Sequence, residues 1–336
     1  MTQADVTDGR VCYDRAAHQL CAACLPAGTH IVLIGDSTMR YMYMTLALAL
    51  AQGVDRFDRN LVDRAFLNGS RYRGVPWSAA SWSSGKGPTG YMTYYSRMRR
   101  LLMKANPNAV EWCDCYRRED ASGKPRFNDV WDHHYLSLHG VKLTYISNYG
   151  TLATKGVWWP GEPDERRTVH DGGYRTNAAW ELKSVKQIVE VLLPLLAPTQ
   201  VIFHTGGHHT GPLIQSREQA SELRSAFERA GLGGAAHYST ITPGAKELSR
   251  STWQQNVEME TRPLREAFPV VDTAALVARS IHDHARNRSS PAEHIMDHFC
   301  GLPPGMHFCE SANLDLVWGL MRYLNFTSCR GVARGS

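Results

Sequence analysis

The chain has 336 residues, enough for one large α/β domain or two ordinary ones, and its 43% hydrophobic and 21% charged content fits a soluble globular enzyme with a sizeable core. The net charge is +5 without a long lysine or arginine run, so nothing favours nucleic acid as a partner. No apolar run reaches the length of a membrane span.

Residues 1–29 form a cysteine-bearing lead-in, and residues 30–329 form one domain. The run of four apolar residues over 31–34 predicts a buried strand, and the Pro- and Gly-free segment from Met39 to Leu50 predicts a helix. The later segments alternate between the two types. The predicted helices cover residues 90–105, 178–196, 217–230, 247–268, 274–281 and 313–324, and the predicted strands cover residues 141–146, 200–203, 237–241 and 270–273. This alternation is typical of a doubly wound parallel sheet, with long loops over residues 53–88 and 150–176.

The cysteines bear on the compartment of the protein. An even number in loop-like sequence favours disulfide bonds and an oxidising compartment, and the eight are Cys12, Cys21, Cys24, Cys113, Cys115, Cys300, Cys309 and Cys329. Free thiols in a cytosolic protein are one alternative. A metal site built from Cys21, Cys24, Cys113 and Cys115 is another, although the last two are poorly spaced for zinc. The favoured disulfides predict a protein of the secretory pathway or the extracellular space. Since the start lacks a signal-peptide profile, its leader would have been removed.

Ser37 lies where the first strand passes into the first helix. Such a strand, turn and helix place it at the carboxyl end of a strand, where ligands bind in open α/β sheets. The N–H groups at the helix start can also stabilise a developing negative charge. Ser37 is therefore placed as a nucleophile would be. The alternative is that Ser37 only caps the helix.

Two further segments can supply the other parts of a serine enzyme. His204-Thr205-Gly206-Gly207-His208 follows the strand over residues 200–203, and its glycines and the His208 side chain can donate hydrogen bonds to an oxyanion. The segment 301–309 precedes the closing helix and contains His307. Histidine is the usual base for a serine nucleophile.

Three motifs, in this order, resemble the landmarks of the PC-esterase family: Gly35-Asp36-Ser37-Thr38-Met39-Arg40, Phe203-His204-Thr205-Gly206-Gly207-His208 and His307-Phe308-Cys309. This family belongs to the GDSL/SGNH hydrolase superfamily and includes the trichome-birefringence-like polysaccharide O-acetyltransferases. The resemblance spans roughly residues 30–325. It implies a flavodoxin-like α/β/α sandwich with a central parallel sheet. It further implies Ser37 as nucleophile, His307 as general base, Arg40 near the site and His208 at the oxyanion. Asp36 and Gly206 are our further candidates for binding the oxyanion or the substrate.

The chain departs from this pattern at the orienting acid. The family usually carries Asp three residues before the catalytic histidine, and here that position is Pro304. Asp297 is our candidate for the acid, followed by Asp283, and a Ser–His dyad without an acid is the third possibility.

Three other assignments stay open at this stage. His298-Phe299-Cys300 repeats the later His-Phe-Cys triplet, and we prefer His307 as the base because it directly precedes the closing helix. His204 stands where such motifs often have Asn, and its role as a site residue or as a residue of the core is open. The glycine that donates to the oxyanion is not evident, and Gly69 is our candidate.

A metal centre is the competing interpretation of the histidines. They cluster at His133-His134, at His204, His208 and His209, and at His282-Asp283-His284, and neutral imidazoles beside a carboxylate can hold zinc. No His-Glu-x-x-His motif occurs, so we expect most of these histidines in loops or at the surface and no metal or other cofactor.

The sequence therefore predicts a monomeric serine esterase or O-acetyltransferase that acts on a carbohydrate or polysaccharide. As an O-acetyltransferase it would also use a small acyl donor. Four loop tryptophans are candidates for stacking on sugar rings or for pinning the loops to the sheet: Trp77, Trp82, Trp158 and Trp159. The alternatives are a metal-dependent hydrolase and a catalytically inactive glycan-binding protein.

Overall fold

A computed structural model describes the following parts of the chain: residues 13–14, 19–20, 25–51, 110–114, 117–119, 125–130, 133–138, 140–150, 153–156, 180–205, 214, 216–240, 262–273, 275, 316–317, 319–321 and 323–324. The predicted helix over residues 90–105, the tryptophan-bearing loops and the disulfide pairings lie outside these residues. Within the described ranges, no helix is both long and apolar enough to cross a membrane.

The strands are β1 (Tyr13–Asp14), β2 (Gln19–Leu20), β3 (His30–Gly35), β4 (Val110–Asp114), β5 (Arg117–Glu119), β6 (Pro125–Val130), β7 (His133–Leu138), β8 (Val141–Ser147), β9 (Thr154–Gly156), β10 (Trp180–Leu182), β11 (Gln200–Phe203), β12 (Ala236–Ser239) and β13 (Val270–Val271). The helices are α1 (Ser37–Ala51), α2 (Val185–Val191), α3 (Leu193–Leu196) and α4 (Arg217–Arg229). Residues 262–267 are also helical, and helical residues between 316 and 323 belong to the closing helix.

A seven-stranded sheet in the order β13-β12-β11-β3-β8-β7-β4 forms the centre of the protein. The five strands from β13 to β8 are mutually parallel, whereas β7 pairs antiparallel with both β8 and β4. Numbered by their order along the chain, the five parallel strands lie as 2-1-3-4-5, with β3 as strand 1. This order occurs in doubly wound folds such as flavodoxin, where ligands bind beside strand 1.

One face of the sheet packs against α2, α4 and the helical residues 262–267. Ile34, Phe203 and Tyr238 are paired in register and so point to this face. The Phe203 ring lies 5.1 Å from that of Phe227 in α4 and 4.9 Å from that of Phe268, measured between centroids. These aromatic rings join the sheet to two of the helical segments in one buried core.

The opposite face carries α1 and the closing helix. Tyr145 of β8 points to this face, and its ring centroid lies 6.4 Å from that of Tyr43 in α1. His237 of β12 points the same way and packs edge-on against Tyr323 at 5.3 Å. Helices therefore cover both faces, and the protein is a mixed α/β fold with a mostly parallel central sheet.

The predicted strands over residues 31–34, 141–146, 200–203, 237–241 and 270–273 are confirmed to within a few residues, as are the first helix and the helix over residues 217–230. The prediction of a continuous helix over residues 178–196 is wrong at its start. Trp180–Leu182 instead pairs with Thr154–Gly156 as a small antiparallel sheet. The helix begins after Ser184, whose side chain accepts a hydrogen bond from the Gln187 N–H at 3.2 Å.

The sheet also differs from a purely parallel one. The antiparallel strands β4 and β7 extend it beyond β8, and the sequence analysis predicted neither. Only short parts of them alternate between apolar and polar residues, and β7 begins with two buried histidines, His133 and His134. Because the hydrogen bonds and ring contacts of these two histidines come from other elements, no local periodicity marks β7.

His30 is a buried histidine at the amino end of β3. Its Nδ1 donates to the Leu196 carbonyl at 2.9 Å, since that oxygen can only accept, and its Nε2 lies 2.9 Å from the Thr144 hydroxyl, which donates to it. Burial is the main cause that lowers the pKa of His30 to about 4, and the nearby Lys142 ammonium also lowers it.

This histidine makes the stability of the protein dependent on pH. Because its pKa is about 4 in the folded state and 6.5 when unperturbed, the unfolded chain binds the proton more tightly. Its contribution is complete above pH 6.5 and is lost as the pH falls to about 4, which lowers the free energy of unfolding by about 3 kcal/mol. Urea unfolding across this window measures the loss. His30→Gln, which does not titrate, should lose that part of the slope, and an unchanged slope would contradict the assignment.

Candidate active site at the end of strand β3

The carboxyl end of β3 lies at the point where the strand order of the parallel sheet reverses. Its two neighbours, β8 and β11, are the second and third parallel strands along the chain. In such folds the connections leave strand 1 and strand 3 on opposite faces, which opens a crevice at this edge. Gly35 ends β3, and Asp36 and Ser37 follow at this crevice.

Asp36 is the N-cap of α1. Its Oδ1 accepts hydrogen bonds from the Thr38 N–H at 2.8 Å and from the Thr38 hydroxyl at 2.7 Å. Its carbonyl accepts the first helical bond, from the Arg40 N–H at 3.1 Å. Ser37 is therefore the first helical residue, and the capping role that was the alternative for Ser37 is performed by Asp36.

Strand β11 holds the turn from one side through His204. The His204 N–H continues the parallel ladder by donating to the Ile34 carbonyl at 3.0 Å. Its ring Nε2 accepts a hydrogen bond from the Asp36 N–H at 3.1 Å and lies 3.3 Å from Asp36 Oδ1. Both side chains are almost completely buried, so the contact is shielded from solvent. The next residue, Thr205, is also buried, and its hydroxyl has no hydrogen-bond partner within the described ranges.

Strand β8 holds the turn from the other side. The Tyr145 hydroxyl lies 3.0 Å from the Gly35 carbonyl and 2.9 Å from the Asp36 carbonyl, and it donates to these oxygens. The Asn148 N–H donates to the Gly35 carbonyl at 2.7 Å. The backbone that precedes Ser37 is therefore fixed by both neighbouring strands, which is the rigidity that a nucleophile requires.

The segment after β8 reaches the same edge of the sheet. Arg40, a buried residue of α1, donates from Nη1 to the Tyr149 hydroxyl at 3.2 Å. Gly150 is buried with φ +78°, and its N–H donates to Asn148 Oδ1 at 3.4 Å. The sequence did not mark Tyr145, Asn148 or Gly150 as site residues, although the strand predicted over residues 141–146 contains the first of them and ends beside the other two.

Of the predicted site residues, the structure describes Asp36, Ser37 and Arg40, and it brings all three to this edge of the sheet. The others lie outside the described residues: Gly69, Gly206, His208, Asp297 and His307, with the alternatives His298 and Asp283.

The expectation that the clustered histidines lie in loops or at the surface is wrong for the three that are described. His133, His134 and His204 are all buried. His133 Nδ1 accepts the Ser147 N–H at 3.1 Å, and the His134 ring stacks on Tyr43 with centroids 5.3 Å apart. These contacts give His133 and His134 structural roles. In the described ranges, no three His, Cys, Asp or Glu residues are grouped so as to hold a metal ion.

The comparison of the chain with protein-family models, with curated proteins and with solved structures found no match in any of the three. The class that the geometry defines is a mixed α/β protein with a serine at the reversal point of a mostly parallel sheet. Any functional interpretation therefore depends on the residues around Ser37.

Proposed function

We propose that the protein is a serine-dependent enzyme that transfers or hydrolyses an O-acyl ester, foremost acetyl, on a carbohydrate. The observation that carries the proposal is the position of Ser37 as the first residue of α1, directly after the central strand, while Asp36 caps the helix. The 2-1-3-4-5 strand order supports the finer proposal of a GDSL/SGNH-type sandwich.

The proposed reaction has two steps. Ser37 Oγ attacks the acyl carbonyl while His307 accepts its proton, and collapse of the tetrahedral intermediate forms the acyl-serine. His307 returns the proton to the departing alkoxide. In the second step His307 deprotonates water or a sugar hydroxyl, which attacks the acyl-serine. As the acyl–Oγ bond breaks, His307 returns the proton to Ser37 Oγ, and both residues are regenerated. Asp297 is the proposed orienting acid.

N–H donors at the start of α1 support the oxyanion assignment. The first N–H groups of a helix have no partner within that helix, and they favour negative charge at its N-terminus. We propose that the Ser37 N–H donates to the oxyanion together with His208 and Gly206. Gly69, which lies outside the described residues, stays our candidate for a further glycine donor to the oxyanion.

The first test of this proposal is covalent labelling by a fluorophosphonate probe, which reacts with an activated serine. We expect the adduct on the tryptic peptide that contains Ser37, equal labelling with and without EDTA, and no labelling of the heat-denatured protein. Acetate release from an acetylated oligosaccharide should follow the same pattern. An adduct on another serine, or activity that EDTA abolishes, would contradict the proposal.

A further inference from the structure

The ring of His204 contacts the turn that presents Ser37, and this contact defines the protonation state of the ring. The Asp36 N–H can only donate, so at 3.1 Å the Nε2 of His204 has to be the acceptor. A neutral imidazole that accepts at Nε2 carries its proton on Nδ1. A proton on Nε2 would face the Asp36 N–H as a second donor and push the two groups apart.

Asp36 Oδ1 also lies within reach of Nε2, and it is the weaker candidate. It lies 3.3 Å from Nε2, farther than the backbone nitrogen, and it already accepts two hydrogen bonds from Thr38. The geometry therefore favours the backbone N–H as the partner of the ring.

The packing around Gly35 shows how closely the ring approaches the turn. A Cβ built on Gly35 would lie against His204 Nε2 and 2.5 Å from His204 Cδ2. Since any side chain at position 35 would displace the ring, the His204 ring can pack at this position only against a glycine. This contact joins the end of β11 to the residue directly before Ser37.

We propose that His204 is the positioning residue for Ser37, and that it acts as a neutral imidazole protonated on Nδ1 that holds the Asp36 N–H. This inference depends on the proposed function, because it concerns the nucleophile of that reaction. His204 takes no proton from substrate in this scheme. It fixes the direction in which β3 ends, and thereby the start of α1 and the Ser37 side chain.

Two substitutions separate positioning from simple packing. His204→Gln keeps an acceptor, since the Gln Oε1 can occupy the position of the ring Nε2, whereas His204→Leu fills similar space without an acceptor. We expect His204→Leu to slow fluorophosphonate labelling of Ser37 by about 100-fold and to lower kcat for 4-nitrophenyl acetate with KM unchanged. His204→Gln should label at a rate close to that of the parent protein.

His30→Leu is the matched control, because His30 is also a buried histidine and lies at the amino end of β3, the strand whose carboxyl end the His204 ring contacts. It should lower stability and leave the labelling rate unchanged. If His204→Leu labels as fast as the parent, or if His204→Gln is as slow as His204→Leu, the positioning role is wrong. If the parent itself shows no adduct on Ser37, the proposed function fails first, and the role of His204 in positioning a nucleophile fails with it.

A second readout does not depend on activity. Nitrogen-15 spectra of the histidine rings in the full chain, with His204 assigned by the signals that disappear in His204→Gln, should show Nδ1 protonated and Nε2 unprotonated at neutral pH. A protonated Nε2 would overturn the assignment even if the enzyme were active.

Discussion

Replacing Ser37 with alanine is expected to lower kcat for ester turnover by at least about 1,000-fold and to abolish fluorophosphonate labelling. The reason is that the acyl-enzyme cannot form without the hydroxyl, while the binding surfaces and oxyanion donors remain. The residual rate, measured with 4-nitrophenyl acetate, then reports catalysis by binding and orientation alone. The fold should persist, because Asp36 and not Ser37 caps α1.

Ser216→Ala is the matched control for this substitution. Ser216 is also a serine at the start of a helix, where its side chain accepts the Gln219 N–H at 3.2 Å in a complete capping box before α4. Its loss should lower the free energy of unfolding by about 1 kcal/mol without changing kcat. A Ser37→Ala protein that is as active as the Ser216→Ala protein would show that Ser37 has only a local structural role.

The sequence predicts the part of the fold that local pattern determines. The apolar run of β3, the Gly-Asp-Ser turn and the uninterrupted helix after it are adjacent in the chain, so their order fixes where Ser37 lies. The helix predicted over residues 178–196 contains residues that are indeed buried, among them Ile188, Leu192 and Leu196. Its first turn was assigned incorrectly, because pairing between β9 and β10 overrides helical periodicity there.

The sequence could not predict the parts that depend on distant contacts. His204 follows a strand and looks like one more member of a histidine cluster, yet its ring nitrogen binds the backbone of Asp36, 168 positions earlier. Tyr145 similarly donates to carbonyls about 110 positions away in the chain. Neither contact has a local sequence signal. The rest of the proposed site, including His307, stays a prediction.

Gly35 offers the second substitution with a large expected effect. Gly35→Ala adds a methyl group that would meet the His204 ring and lie 2.6 Å from Met39 Cγ, and both of these side chains are buried. Neither can move without opening a gap in the core, so we expect the free energy of unfolding to fall by about 3 kcal/mol. Because the displaced ring would release the Asp36 N–H, the labelling rate of Ser37 should fall by about 100-fold as well.

Gly234→Ala is the control, since an added Cβ there meets no atom within 4 Å and should change neither quantity. A double-mutant cycle identifies the source of the effect. If the clash with His204 is the cause, the destabilisations of Gly35→Ala and His204→Ala will sum to more than that of the double variant, because truncating the ring makes room for the methyl group. Additive losses, measured by urea unfolding, would mean that Met39 or the backbone bears the strain. The turn before Ser37 would then not depend on the close packing of the His204 ring against Gly35.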